Sequence, residues 1–115
     1  TILERARIEP AIGMQGRSLL EEGRDLAFIQ YDHQSSNPGL GRPPRVHTIR
    51  TDRWRLSLFD GIDWGELYDV ETDPNEFENL WDVAAYGDQR AALMEALARA
   101  EVSHVDQVPF PVSHA

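Results

Sequence analysis

The sequence predicts an α+β fold: a small antiparallel sheet of about four strands, covered on one face by a C-terminal helix and preceded by a short N-terminal helix. Three observations carry that expectation. Runs of strand length at Leu26–Tyr31, Val46–Thr51, Trp54–Phe59 and Glu66–Val70 are separated by turn residues. The last long segment repeats apolar residues at helical spacing. Finally, 115 residues with 41% hydrophobic content suffice for one core and are too few for two ordinary domains.

In chain order, Thr1 to Ile8 sets Ile2, Leu3 and Ala6 at helical spacing, and Pro10 with Gly13 stops the helix. Thr1-Ile2-Leu3-Glu4 reads as the middle of a helix whose cap is missing, so a longer parent chain is expected. Leu26-Ala27-Phe28-Ile29-Gln30-Tyr31 is read as the central strand. Ser35 to Pro44 is dense in Pro, Gly and Ser, which directs it to the surface, and the loop over 33–45 is the segment expected to face a site.

Val46–Thr51 and Trp54–Phe59 form a hairpin about Asp52-Arg53, with Trp54, Leu56 and Leu58 on one face and Arg55 and Ser57 on the other. Asp60-Gly61 turns the chain toward the strand at Glu66–Val70. Asp73-Pro74-Asn75-Glu76 predicts a helix start: the Asp caps unpaired amides, Pro loses nothing at the first position, and Glu76 reaches back to the cap. Phe77, Leu80 and Trp81 would then form a stripe that docks on the sheet. A longer helix is predicted from about Asp88 to about Val102 by the spacing of Leu93, Met94, Leu97, Ala98 and Glu101, and Pro109 and Pro111 end regular structure. The chain reads as one unit, with a leader over 1–25, a sheet over 26–72, and helices with a tail over 73–115.

Bulk properties remove whole classes of function. The 20 acidic residues against 11 basic ones leave a net charge of −9, which repels nucleic acid and anionic membrane alike. Every basic residue other than histidine is Arg. With no Cys there is no disulfide, thiolate metal site or Cys nucleophile. No apolar run approaches the roughly 20 residues that span a bilayer, and no basic-then-apolar leader opens the sequence. For the compartment, the bacterial cytoplasm is slightly favoured over the periplasm.

Three passages resemble sulfatases of the alkaline-phosphatase-like superfamily. Thr1-Ile2-Leu3, Ile8-Glu9-Pro10 and Gly13-Met14-Gln15-Gly16-Arg17-Ser18-Leu19-Leu20 resemble the passage that follows that family's catalytic domain. Arg50-Thr51-Asp52-Arg53-Trp54-Arg55-Leu56 resembles its C-terminal hairpin. The run from Gly65-Glu66-Leu67-Tyr68-Asp69-Val70 through Asp73-Pro74 to Asn79-Leu80 resembles its closing signature. Three patterns in the right order are far more specific than any one. The resemblance implies the C-terminal subdomain of a hydrolase that cleaves sulfate esters, with a formylglycine made from a Cys/Ser-x-Pro-x-Arg sequence and a divalent metal, usually calcium, both in a catalytic domain outside this sequence. A phosphonate or phosphodiester hydrolase of the same superfamily, and a self-associating binding module, are the alternatives. The implied partners are that catalytic domain and a sulfate-ester substrate, with a homo-oligomer as a further option. Ser36-Asn37-Pro38-Gly39-Leu40 imitates the nucleophile motif but puts Leu40 where Arg is required. No catalytic residue is therefore assigned.

In sulfatases the loops of this subdomain can border the substrate cleft, which makes His33, Gln34, Arg45 and His47 the candidates for a cleft rim. The plainer reading of His33 is a loop-entry residue with a local hydrogen bond. Asp32, His33 and His47 offer metal-compatible ligands but lack a spacing signature, so no metal site is assigned. Arg42, Arg45, Arg50, Arg53 and Arg55 could steer an anion, yet strand alternation divides them and salt bridges to the abundant carboxylates are the expected use. His104 and His114 read as solvated near the end, and Trp54, Trp64 and Trp81 as packing residues.

Overall fold

A computed structural model describes residues 1–10, 14, 16–23, 25–34 and 41–104. Its elements are α1 (Ile2–Ala6), β1 (Ala27–Asp32), β2 (Arg45–Arg50), β3 (Trp54–Phe59), β4 (Gly65–Asp69), a short 3-10 turn (Ala84–Tyr86) and α2 (Gly87–Ser103). The four strands pair in the order β1-β2-β3-β4, every pair antiparallel. The hairpin between β2 and β3 closes because Thr51 works twice: its N–H donates to the Trp54 carbonyl and its hydroxyl accepts from the Trp54 N–H, both at 2.9 Å. Gly61, at φ 63, supplies the left-handed residue that the turn after β3 requires.

Partners across an antiparallel ladder point to the same face, so the register assigns the two faces. One row is Phe28, Ile49, Leu56 and Leu67, and its last three members are 0% exposed. Against this face α2 lays Leu93, Leu97 and Ala100, spaced by four and three, and Leu80 completes the core with Trp54, Leu58, Trp81 and Tyr86 packed around it. Gly65 is needed for that packing, since a Cβ there would lie 2.5 Å from the Trp81 ring and 2.8 Å from the Ser57 carbonyl. The opposite face carries Thr48 and Ser57, whose hydroxyls satisfy each other at 2.8 Å while both side chains are buried.

Sheet, covering helix and short leader helix are as the sequence predicts. Two elements differ. The run read as a central strand is β1, an edge strand, and Ile29 and Tyr31 on its free face stand 50% and 52% exposed. An apolar run of that length fits a buried or an edge position equally, and only the pairing order separates them. The helix predicted from Asp73 does not form. Glu76 takes φ 56, which breaks right-handed propagation, and the Asp73 carboxylate accepts from the Glu78 N–H at 2.9 Å. Phe77, predicted on a docking stripe, is 87% exposed.

The reason lies one step on, where the Leu80 N–H donates to the Leu67 carbonyl at 2.8 Å. An α-helix would spend the Leu80 N–H on the carbonyl four residues before it, so the bond to β4 excludes a helix through this point. Within α2, Met94 and Ala98 face outward because Leu93, Leu97 and Ala100 already meet the sheet. The helix stop at Gly13, loop residues 35–40, Pro109, Pro111 and His114 lie outside the described residues. Among the described residues no helix is long and apolar enough to cross a membrane.

Candidate functional site

The turn from β1 into β2 and the turn from β3 into β4 lie at the same end of the sheet, because the strands form an antiparallel meander. The candidate rim residues gather at this end. Asp32 pairs with Arg45, and Gln30, His47 and Leu58 form the next row on the α2 side. Gln30, Asp32, Arg45, His47, Asp60 and Glu101 line a concavity of about 370 Å³. His47 Nδ1 lies 2.6 Å from Glu101 Oε1 on α2, and its ring meets Phe28 edge-on at 5.7 Å. The imidazole thus ties sheet to helix, while Arg45 stays exposed at the lip.

His33 lies past the end of β1. Its N–H donates to the Pro44 carbonyl at 3.0 Å, which holds the neck of the loop closed, and its ring stacks on Tyr31 at 5.9 Å. Strand alternation puts Tyr31 on the face opposite Asp32 and His47, so the stacked His33 goes with it. Gln34 follows at an exposed bend. The four candidates therefore divide: Arg45 and His47 share the groove, and His33 belongs to the other face. The same division separates His33 from Asp32 and His47. Among the described residues no group of three or more His, Asp or Glu side chains could hold a metal ion.

The far end of the sheet is held by ion pairs. Arg53 donates Nε to both Asp69 oxygens at 3.1 Å and Nη2 to Oδ2 at 2.7 Å. Arg55 reaches Glu66 at 3.0 Å and Glu76 at 2.9 Å, and its guanidinium lies 4.8 Å from the centroid of the Tyr68 ring. Arg50, also at the far end, donates to the Asp52 carbonyl at 3.1 Å, while at the loop end Arg42 meets Asp60 at 3.7 Å. The arginine-rich stretch is therefore spent largely on carboxylates and turn carbonyls, not gathered toward one ligand. Burial, with Glu66 as a lesser cause, raises the Tyr68 phenol above its ordinary value.

Asp69 titrates low, first because Arg53 hydrogen-bonds its carboxylate. The folded chain then binds fewer protons at this group than the unfolded chain does. Its contribution to stability is present above the ordinary value of 3.8 and lost as pH falls through the lowered value. Replacing Asp69 with Asn should flatten the acid limb of a stability-against-pH curve measured by urea unfolding between about pH 2 and 5. An unchanged limb would remove Asp69 from the acid response.

Sequence reading did not reach Asp60 or the pairing of Glu101 with His47. Glu101 was legible only as a helix position, and its partner lies 54 residues away. Nor did it reach the row Tyr31, Val46 and Phe59, which exists only once the register is known.

Comparison with known proteins extends the same architecture. The model of the N-sulphoglucosamine sulphohydrolase C-terminal family matches residues 1–103. An N-acetylglucosamine-6-O-sulfatase of Bacteroides thetaiotaomicron is 32% identical over 117 residues, covering 95% of this chain and 21% of the relative. A protein solved in complex with its substrate D-glucosamine-2-N,6-O-disulfate superposes with a TM-score of 0.73 at 28% identity, over 90% of this chain and 23% of that one. The phosphonate monoester hydrolase of Agrobacterium radiobacter superposes with a TM-score of 0.76 at 27% identity, over 93% of this chain and 24% of that one. The chain thus spans about a fifth of the curated relative and about a quarter of each solved structure. A four-stranded meander under one long helix, matched along 1–103 and carried elsewhere as one part of larger chains, places this chain in the family of sulfatase C-terminal domains typified by N-sulphoglucosamine sulphohydrolase.

Proposed function

We propose that this chain serves as the non-catalytic C-terminal domain of a hydrolase of sulfate esters, packed against a catalytic domain and lending its loop end to the rim of the substrate cleft. The observation that carries the reading is the 32% identity, over 95% of the chain, to a sulfatase of an amino sugar. A sulfated amino sugar is accordingly the favoured substrate class. The formylglycine and divalent metal, usually calcium, that the sulfatase resemblance implies do not fit this chain. It holds no Cys/Ser-x-Pro-x-Arg sequence and, among the described residues, no cluster of three or more His, Asp or Glu side chains that could hold a metal ion. On this reading both belong to the catalytic domain, and no chemical step runs through this one. The phosphonate monoester hydrolase, at a TM-score of 0.76, supports a second reading in which the ester is a phosphonate. The domain supplies packing, and packing says little about the leaving group.

In this scheme Arg45, exposed at the groove's lip, meets an anionic group of the substrate through its planar fork, and His33 and Gln34 shape the rim. His47 acts by holding the sheet to α2. The isolated chain should show zero turnover of an aryl sulfate or a phosphonate monoester. A chimera of the Bacteroides sulfatase carrying this chain in place of its matching segment should cleave 6-O-sulfated N-acetylglucosamine. Arg45→Ala in that chimera should raise KM roughly threefold or more with kcat little changed, the mark of lost uniform binding. Turnover by the chain alone would sink the non-catalytic assignment. Kinetics indifferent to Arg45 and His33 would sink the rim.

A further inference from the structure

The outer face of the sheet, away from α2, is two surfaces. At the far end Thr48 and Ser57 satisfy each other, and Arg55 is closed by Glu66, Glu76 and Tyr68. That half needs no partner. At the loop end the register brings Tyr31, Val46 and Phe59 into one row, Phe59 continues to Trp64 with ring centroids 5.1 Å apart, and Ile29 flanks it on β1. Ile29, Tyr31 and Trp64 are 50%, 52% and 49% exposed. A contiguous aromatic strip beside a satisfied polar surface is the anatomy of an interface core.

We propose that this strip is the surface on which the catalytic domain of a sulfatase-type chain docks. The inference rests on the reading above and adds to it the face and the residues. The same fold makes up 23% and 24% of two longer solved chains, so a large body is available to cover it, and α2 already fills the other face. His33, stacked on Tyr31, joins the strip directly to the rim. Seating Tyr31 and Trp64 therefore fixes where the loop end faces.

Oxidative side-chain footprinting of the 115-residue chain and of the chimera tests this, with Met94, 41% exposed on the outward side of α2, as the internal reference. The expected result is a roughly tenfold loss of labelling at Tyr31 and Trp64 in the chimera with Met94 unchanged. Equal labelling of the strip in both proteins, or protection of Met94 instead, overturns the proposal. A chimera that turns over sulfate with an open strip breaks this inference and leaves the functional reading standing. A protected strip in a chimera inactive on sulfate does the reverse. Independently, Tyr31→Thr and Trp64→Thr should lower the melting midpoint of the isolated chain only slightly, because both side chains are about half exposed and their ring contacts are with His33 and Phe59 at the surface. A clear fall would show that it is already used internally, and concentration-dependent protection of the isolated chain would assign the strip to a second copy; either overturns the proposal.

Discussion

Replacing Asn79 with Ala is expected to cost about 3 kcal/mol, from three hydrogen bonds of about 1 kcal/mol each. Its Oδ1 accepts from the Leu67 and Trp81 N–H groups, both at 3.0 Å, and its Nδ2 donates to the Gly65 carbonyl at 3.1 Å. Together with the 2.8 Å bond from the Leu80 N–H to the Leu67 carbonyl, these contacts occupy part of the open edge of β4. Leu67 is 0% exposed, and the substitution removes the side-chain acceptor of its amide. Asn79→Asp keeps the acceptor and loses the donor, and should fall between wild type and Ala. Urea unfolding reads the effect as a lower midpoint at constant slope. A cost under about 0.5 kcal/mol would mean the edge is closed by the backbone alone.

Leu56→Ala should cost about 3 to 4 kcal/mol, within the range for a leucine deleted from a packed core. Leu56 is 0% exposed and sits between Ile49 and Leu67 in the row that α2 covers. The sheet cannot collapse into the space without breaking the register of its neighbours, so the cavity persists. Against a total stability of about 5 to 15 kcal/mol for a domain, a loss of that size populates the unfolded chain measurably at ambient temperature. The same change at Met94, 41% exposed on the flank of α2 outside the Leu93, Leu97 and Ala100 stripe, should cost under about 1 kcal/mol. Equal effects at the two positions would refute the assigned faces.

The alternation of Trp54, Leu56 and Leu58 against Arg55 and Ser57 was legible because a strand has a period of two, and α2 because a helix has one near 3.6. The turn at Thr51–Trp54 and the family pattern from Gly65 to Leu80 were legible for the same reason, since both are short-range chemistry. Asp73-Pro74 shows where such chemistry misleads. It is a sound helix start considered alone, but Leu80 is held to Leu67 and Glu76, at φ 56, is gripped by Arg55. The bonds to β4 and the core site for Leu80 outweigh a local cap.

The sequence by itself determined the strands, the long helix, the absence of a catalytic nucleophile motif and the family, because each is written in residue type and near spacing. Tertiary structure decided that β1 lies at the edge, that Arg45 and His47 share a groove while His33 joins the opposite face, and that Tyr31, Phe59 and Trp64 form one strip. Those are matters of register and pairing order, and a pairing energy depends on residues tens of positions apart that no local period can bring together.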